Sequence, residues 1–125
     1  MKTRRFRDLL VWQRSMRLVE AVYTVTGPFP KEELFGLVSQ MRRAAVSIPS
    51  NIAEGRGRDS DRSFALFLSQ ARGSLYELET QTELARNLGM IPVEQAELLL
   101  ADAAAINRML HGLRNTLRGT EPGQA

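Results

Sequence analysis

The sequence predicts an all-α protein, an antiparallel up-and-down four-helix bundle, on three observations. Four segments carry apolar residues at spacings of three and four. No strand-like alternation persists beyond a few residues. The links between segments are short, which sets neighbouring helices antiparallel. With 125 residues, 43% apolar and 25% charged, the chain is long enough for one core without staples.

The first helix is expected from Asp8 to Thr26, with Asp8 as N-cap and Leu9, Trp12, Met16, Val19 and Tyr23 on one inward face. Leu10, Leu18, Val22 and Val25 form a second apolar flank. Gly27-Pro28-Phe29-Pro30 ends the helix, because proline cannot continue the ladder. The second begins near Pro30 and places Leu34, Leu37, Met41, Ala45 (or Ala44), Ile48 and Ile52 inward. Pro49 lies within that stripe, which resumes at Ile52, so the helix is expected to kink there rather than end. Gly55-Arg56-Gly57-Arg58 closes it as a basic turn.

The third helix carries the clearest seam: Phe64, Leu68, Ala71, Leu75, Leu78, Thr82 and Ala85, in alternating steps of four and three. Ser60 or Asp59 caps its start, and Gly89 sits where a left-handed residue is wanted at its end. Leu66 and Tyr76 are a second apolar flank. Pro92 opens the fourth helix, with Val93, Ala96, Leu99, Ala103, Ile106, Leu110, Leu113 and Leu117 inward, and Gly119 stops it. The domain reading is a basic N-terminal arm over 1–7, the bundle over 8–118 and a frayed tail over 119–125.

The composition narrows the chemistry. There is no cysteine, hence no disulfide and no thiolate metal site. His111 is the one histidine, with no nucleophile signature around it, and Arg108 stands where a Glu-x-x-His metal motif needs glutamate. Glu79 and Glu83 stand one turn apart and read as a solvated face pairing with Arg72 or Arg86. No P-loop is present. The expectation is a non-enzyme without cofactor or metal. The apolar run Leu9-Leu10-Val11-Trp12 is too short for a secretory signal or a membrane span, giving a cytoplasmic expectation. Membrane-surface binding by the arm and first helix is set aside because Trp12 and Met16 are assigned to the core.

Charge is unevenly laid out. Residues 1–58 hold 11 Lys/Arg against 5 Asp/Glu, a net of +6, and residues 59–125 hold 6 against 9, a net of −3. Fifteen of the 17 cations are arginine, whose fork suits phosphate. Arg42, Arg43, Arg56, Arg58 and Arg62 gather around the second helix and its exit, and are the candidate nucleic-acid-binding residues. Ser47, Ser50 and Asn51 read as repairs to the backbone that Pro49 disturbs, or as bonds across the bundle.

Several strings carry a resemblance: Phe6 through Trp12-Gln13, Leu34-Phe35-Gly36-Leu37, Gln40-Met41-Arg42-Arg43-Ala44-Ala45, Ser47-Ile48-Pro49-Ser50-Asn51-Ile52-Ala53-Glu54-Gly55, and Gly73-Ser74-Leu75-Tyr76-Glu77-Leu78-Glu79. Over roughly residues 6–91 the chain resembles the small bacterial four-helix proteins of the 23S ribosomal RNA intervening-sequence family. The resemblance implies a gene within a ribosomal RNA insertion or standing alone. It also implies kinship with the accessory proteins of diversity-generating retroelements, which partner a reverse transcriptase, and assembly as a ring-like homopentamer. It brings no catalytic residues.

Two readings follow. In the first, the chain is a homo-oligomeric scaffold that binds structured RNA or DNA through phosphate contacts, with steep salt dependence and little sequence preference. In the second, it is a protein–protein adaptor, for example for a reverse transcriptase, whose arginines serve solubility.

Overall fold

The structure is a computed structural model and describes residues 5–118. Those residues form a four-helix bundle: α1 (Leu10–Thr26), α2 (Ser39–Arg56), α3 (Asp61–Asn87) and α4 (Val93–Arg118). No strand occurs among the described residues. Packing follows the ring order α1–α2–α3–α4 and back to α1, with α2 against α3 the most extensive contact and α1 against α4 the slightest of the four. Near the end of α2, Gly55 abuts Phe64 and Phe67 at the start of α3, while Ser47, two turns earlier, meets Ser74. The two helices therefore run in opposite senses.

Helix α3 buries the whole expected seam, and Gln81 beside it. The Ser60 hydroxyl caps its start by accepting from the Ser63 amide at 3.1 Å. Its end is a Schellman turn: Gly89 has φ +76°, Met90 N–H donates to Ala85 O, and Gly89 N–H donates to Arg86 O. In α4, Ala96, Leu99, Ala103, Ile106 and Leu110 are buried as expected and Val93 is exposed. Leu113 and Leu117 pack against the core from its edge. The arm over residues 1–4, Gly119 as a stop and the tail over 119–125 lie outside the described residues.

The phase of α1 differs from expectation. Val11, Ser15, Leu18, Val22 and Thr26 are buried, whereas Trp12 and Val19 are half-buried and Met16 and Tyr23 are 37% and 45% exposed. Two adjacent apolar stripes compete on this helix, and the one of smaller side chains faces the core. Its two hydroxyls are no obstacle, since Ser15 donates to Val11 O and Thr26 to Val22 O, each at 2.7 Å. Asp8 is not the cap either. It belongs to a 3-10 turn, Phe6–Asp8, which tucks the Phe6 ring edge-on against Trp12 at 5.3 Å, and Leu9 holds the cap position in extended conformation.

The second helix also starts differently. Lys31–Glu33 is a 3-10 turn, and Leu34–Val38 is a wide, π-type turn broken at Gly36 (φ −109°, ψ −110°). The Glu33 carboxylate accepts from the Leu37 amide at 3.1 Å and so caps the turn. Leu34, expected inward, is exposed as a result, while Leu37, Met41, Ala44, Ala45, Ile48 and Ile52 fill the core. Helix α2 continues through the buried Pro49 without interruption.

Candidate nucleic-acid interface

The five candidate arginines do not form one cluster. Arg42 and Arg56 are fourteen residues apart on one helix, or about 21 Å along its axis at 1.5 Å per residue. Arg42 is the most committed of the five. Its Nε donates to Thr26 Oγ1 at 2.9 Å and its Nη2 to Tyr23 O at 3.3 Å, and its guanidinium lies over the Tyr23 ring at 4.4 Å. A cation there satisfies a carbonyl in the last turn of α1 and opposes the negative end of its dipole. Arg42 thus clamps α2 to α1.

At the far end of α2, Arg58 pairs with Glu54 at 2.8 Å and covers the Phe67 ring at 4.8 Å. Arg56 is half-buried, stands 5.9 Å from the Phe64 ring centre and has a further bonding partner. Arg62 is exposed. Residues 54–62 set these three arginines against Glu54, Asp59 and Asp61, so the turn is electrically balanced rather than basic. Arg43, by contrast, is exposed on the outer side of α2 and stands beside two grooves.

The larger groove, about 630 Å³, lies along α1 and α2 and is lined mainly by Tyr23, Leu34, Phe35, Val38 and Val46, with Arg42 and Arg43 at its side. Phe35 is 92% exposed. The smaller, about 410 Å³, lies between α2 and α3 and is polar: Gln40, Arg43, Ala44, Ser47, Ser74 and Glu77. Ser47 Oγ and Ser74 Oγ are hydrogen-bonded at 2.8 Å, and Asn51 Nδ2 donates to both Ser47 O and Ser47 Oγ. Of the two roles expected for these residues, Ser47 makes the bond across to α3, while the Asn51 amide braces Ser47 and not the Ala45 carbonyl that Pro49 leaves without its donor. Ser50 is exposed and lines a third groove with Trp12, Met16 and Pro49.

Sequence reasoning missed the polar groove. Its signal was present: Gln40, Arg43 or Ala44, and Ser47 share a helical face, as do Ser74 and Glu77. It also missed Asn107, which joins α4 to α3. Arg72 Nε donates to Asn107 Oδ1 at 3.0 Å, while Arg72 Nη2 and Asn107 Nδ2 each donate to the Tyr76 hydroxyl at 3.2 Å. Those bonds, Asn107's first, hold the Tyr76 phenol below the ordinary tyrosine value. Arg72 accordingly serves Asn107 and Tyr76, and Glu83 pairs with Arg86 at 3.8 Å. Burial, and secondarily the Glu83 charge, pushes the Glu79 carboxyl up. His111 is exposed and bonded to Asn115 at 3.2 Å. No cluster of metal-ligating side chains occurs among the described residues, and no helix there is long and apolar enough to cross a membrane.

A family model described as the 23S rRNA-intervening sequence protein matches residues 7–112. A crystal structure from Bacteroides thetaiotaomicron, of a protein with unknown function from the S23 ribosomal protein family, superposes with a TM-score of 0.76. The two are 25% identical, over 84% of this chain and 98% of that one. No protein of curated function matches the chain.

Proposed function

Since the chain belongs to the 23S rRNA-intervening sequence protein family, we propose that it is a non-catalytic scaffold that binds structured RNA through a basic surface as a homo-oligomer. The observation that carries this reading is the net charge of +6 over residues 1–58, with Arg43 exposed at the centre of the grooved face. The committed geometry of Arg42, the ion pair of Arg58 with Glu54 and the half-burial of Arg56 shift the weight of RNA contact to Arg43, to Arg62 and to the exposed arginines of the N-terminal segment, Arg7 and Arg17. Several weak cationic patches gain by repetition, because linked copies bind with avidity. Pentameric assembly is what the family resemblance implies for the number of copies. A DNA partner would use the same phosphate contacts.

The test is an anisotropy titration of a labelled RNA hairpin at two salt concentrations. Wild type should bind with steep salt dependence. Replacing Arg43, Arg62, Arg7 and Arg17 by alanine should weaken binding and flatten that dependence. A folded wild type that leaves the hairpin free at low salt would end the reading.

The adaptor reading has its own support in the apolar groove around Phe35, since an exposed apolar patch of this kind marks a protein contact. Phe35→Ser and Val46→Ser should lower the mass seen by light scattering if the patch joins copies. An unchanged mass with lost capture of a partner protein would favour the adaptor.

A further inference from the structure

We propose that the polar groove between α2 and α3 is a base-reading pocket that holds one unpaired guanine of the bound RNA, an inference that rests on the RNA-binding reading above. Arg43 and Gln40 line the groove from α2 and Glu77 lines it from α3. Opposite charges thus border one small volume, yet no ion pair joins Arg43 to Glu77 among the described residues. Packing does not explain them, because all three side chains are exposed.

The balance of charge decides the ligand. A phosphate would gain from Arg43 and be repelled by Glu77, so the groove is a poor phosphate site. A neutral planar edge with acceptors on one side and donors on the next suits it better. Guanine has that pattern: O6 and N7 accept a forked arginine, and its N1–H and N2–H groups donate to a carboxylate, which only accepts. Adenine reverses both features, setting an amino group before the arginine and a bare N1 before the carboxylate, so the same pocket rejects it. Below, Asn51, Ser47 and Ser74 form a hydrogen-bonded chain that fixes the two helix walls relative to each other. A site held on two packed helices keeps its spacing without a ligand.

The experiment uses the full chain and two labelled hairpins that differ only in one unpaired loop residue, guanine or adenine. The guanine loop should bind about tenfold more tightly, the discrimination typical of one good bidentate pair. Glu77→Gln and Arg43→Lys should each bring that ratio close to one, the first by adding a donor and the second by removing the fork. Circular dichroism confirms that both variants fold. Equal binding of the two hairpins by wild type overturns the guanine pocket and leaves the RNA-binding reading standing. Failure to bind either hairpin at low salt removes that reading and the pocket with it.

Discussion

Replacing Gly55 by alanine should destabilise the bundle, although alanine is the better helix former. A Cβ built on Gly55 lies 2.6 Å from Phe67 Cβ, 3.0 Å from Phe64 Cδ1 and 3.3 Å from Phe67 Cγ. Ordinary carbon contacts fall near 3.5–4.0 Å, so α2 and α3 would have to part by roughly 1 Å. The Phe64 ring can turn aside, but Phe67 Cβ is fixed to its backbone and moves only if α3 moves. Forced overpacking of this kind costs about 1–3 kcal/mol. Helix propensity returns up to ~1 kcal/mol, and less near a helix end. The net loss is about 1–2 kcal/mol, or roughly 5 °C in melting temperature for a chain of this length. Gly112→Ala is the control, because Gly112 lies within α4 with open space where its Cβ would go. That change should stabilise by roughly 0.5–1 kcal/mol. The assay is thermal and urea unfolding followed by circular dichroism. A Gly55→Ala protein that melts at or above wild type would refute the close-approach argument.

Arg42→Lys should cost about 1–2 kcal/mol in urea unfolding despite preserving charge, since the clamp needs a forked group on Thr26 and Tyr23. A loss no greater than that of a surface Arg17→Lys change would mean the clamp is idle. Pro49→Ala supplies the donor that the Ala45 carbonyl lacks and should leave the fold at least as stable, because proline inside a helix costs about 3 kcal/mol; a clear loss would assign Pro49 a packing role instead. Tyr76 should titrate below the ordinary tyrosine value in a near-ultraviolet absorbance titration, and Asn107→Ala should raise it towards 10.0. Because the folded value lies below the unfolded one, the linked stability appears as pH rises through the folded value, is complete above the unfolded value, and is lost on returning to lower pH.

Legibility in the sequence varied with how many solutions each segment allowed. Helix α3 carries one dominant stripe, so its buried face could be read directly, and the Ser60 cap and Gly89 turn follow from local chemistry alone. Helix α1 carries two stripes 100° apart, and only the third dimension chose between them, by burying Ser15 and Thr26 with their own carbonyls as partners. The arginines looked like one cluster because they are near in sequence, but α2 carries Arg42 and Arg56 to opposite ends. The polar groove was invisible for the converse reason. Its two walls lie some thirty residues apart in the chain, and neither carries a motif on its own. Gly55 read as a turn residue, while its necessity lies in the phenylalanines it faces.

The unequal packing around the ring of helices has a consequence for how the chain folds. The α2–α3 hairpin combines the broadest contact with a four-residue link, so its closure costs little chain entropy and most of its gain is local. That makes it the expected folding nucleus. Helix α1 joins through a longer, irregular connection, touches α4 only lightly and is latched at its end by Arg42. Amide protons in α1 should therefore exchange by local opening, well before those of α2 and α3 yield to global unfolding.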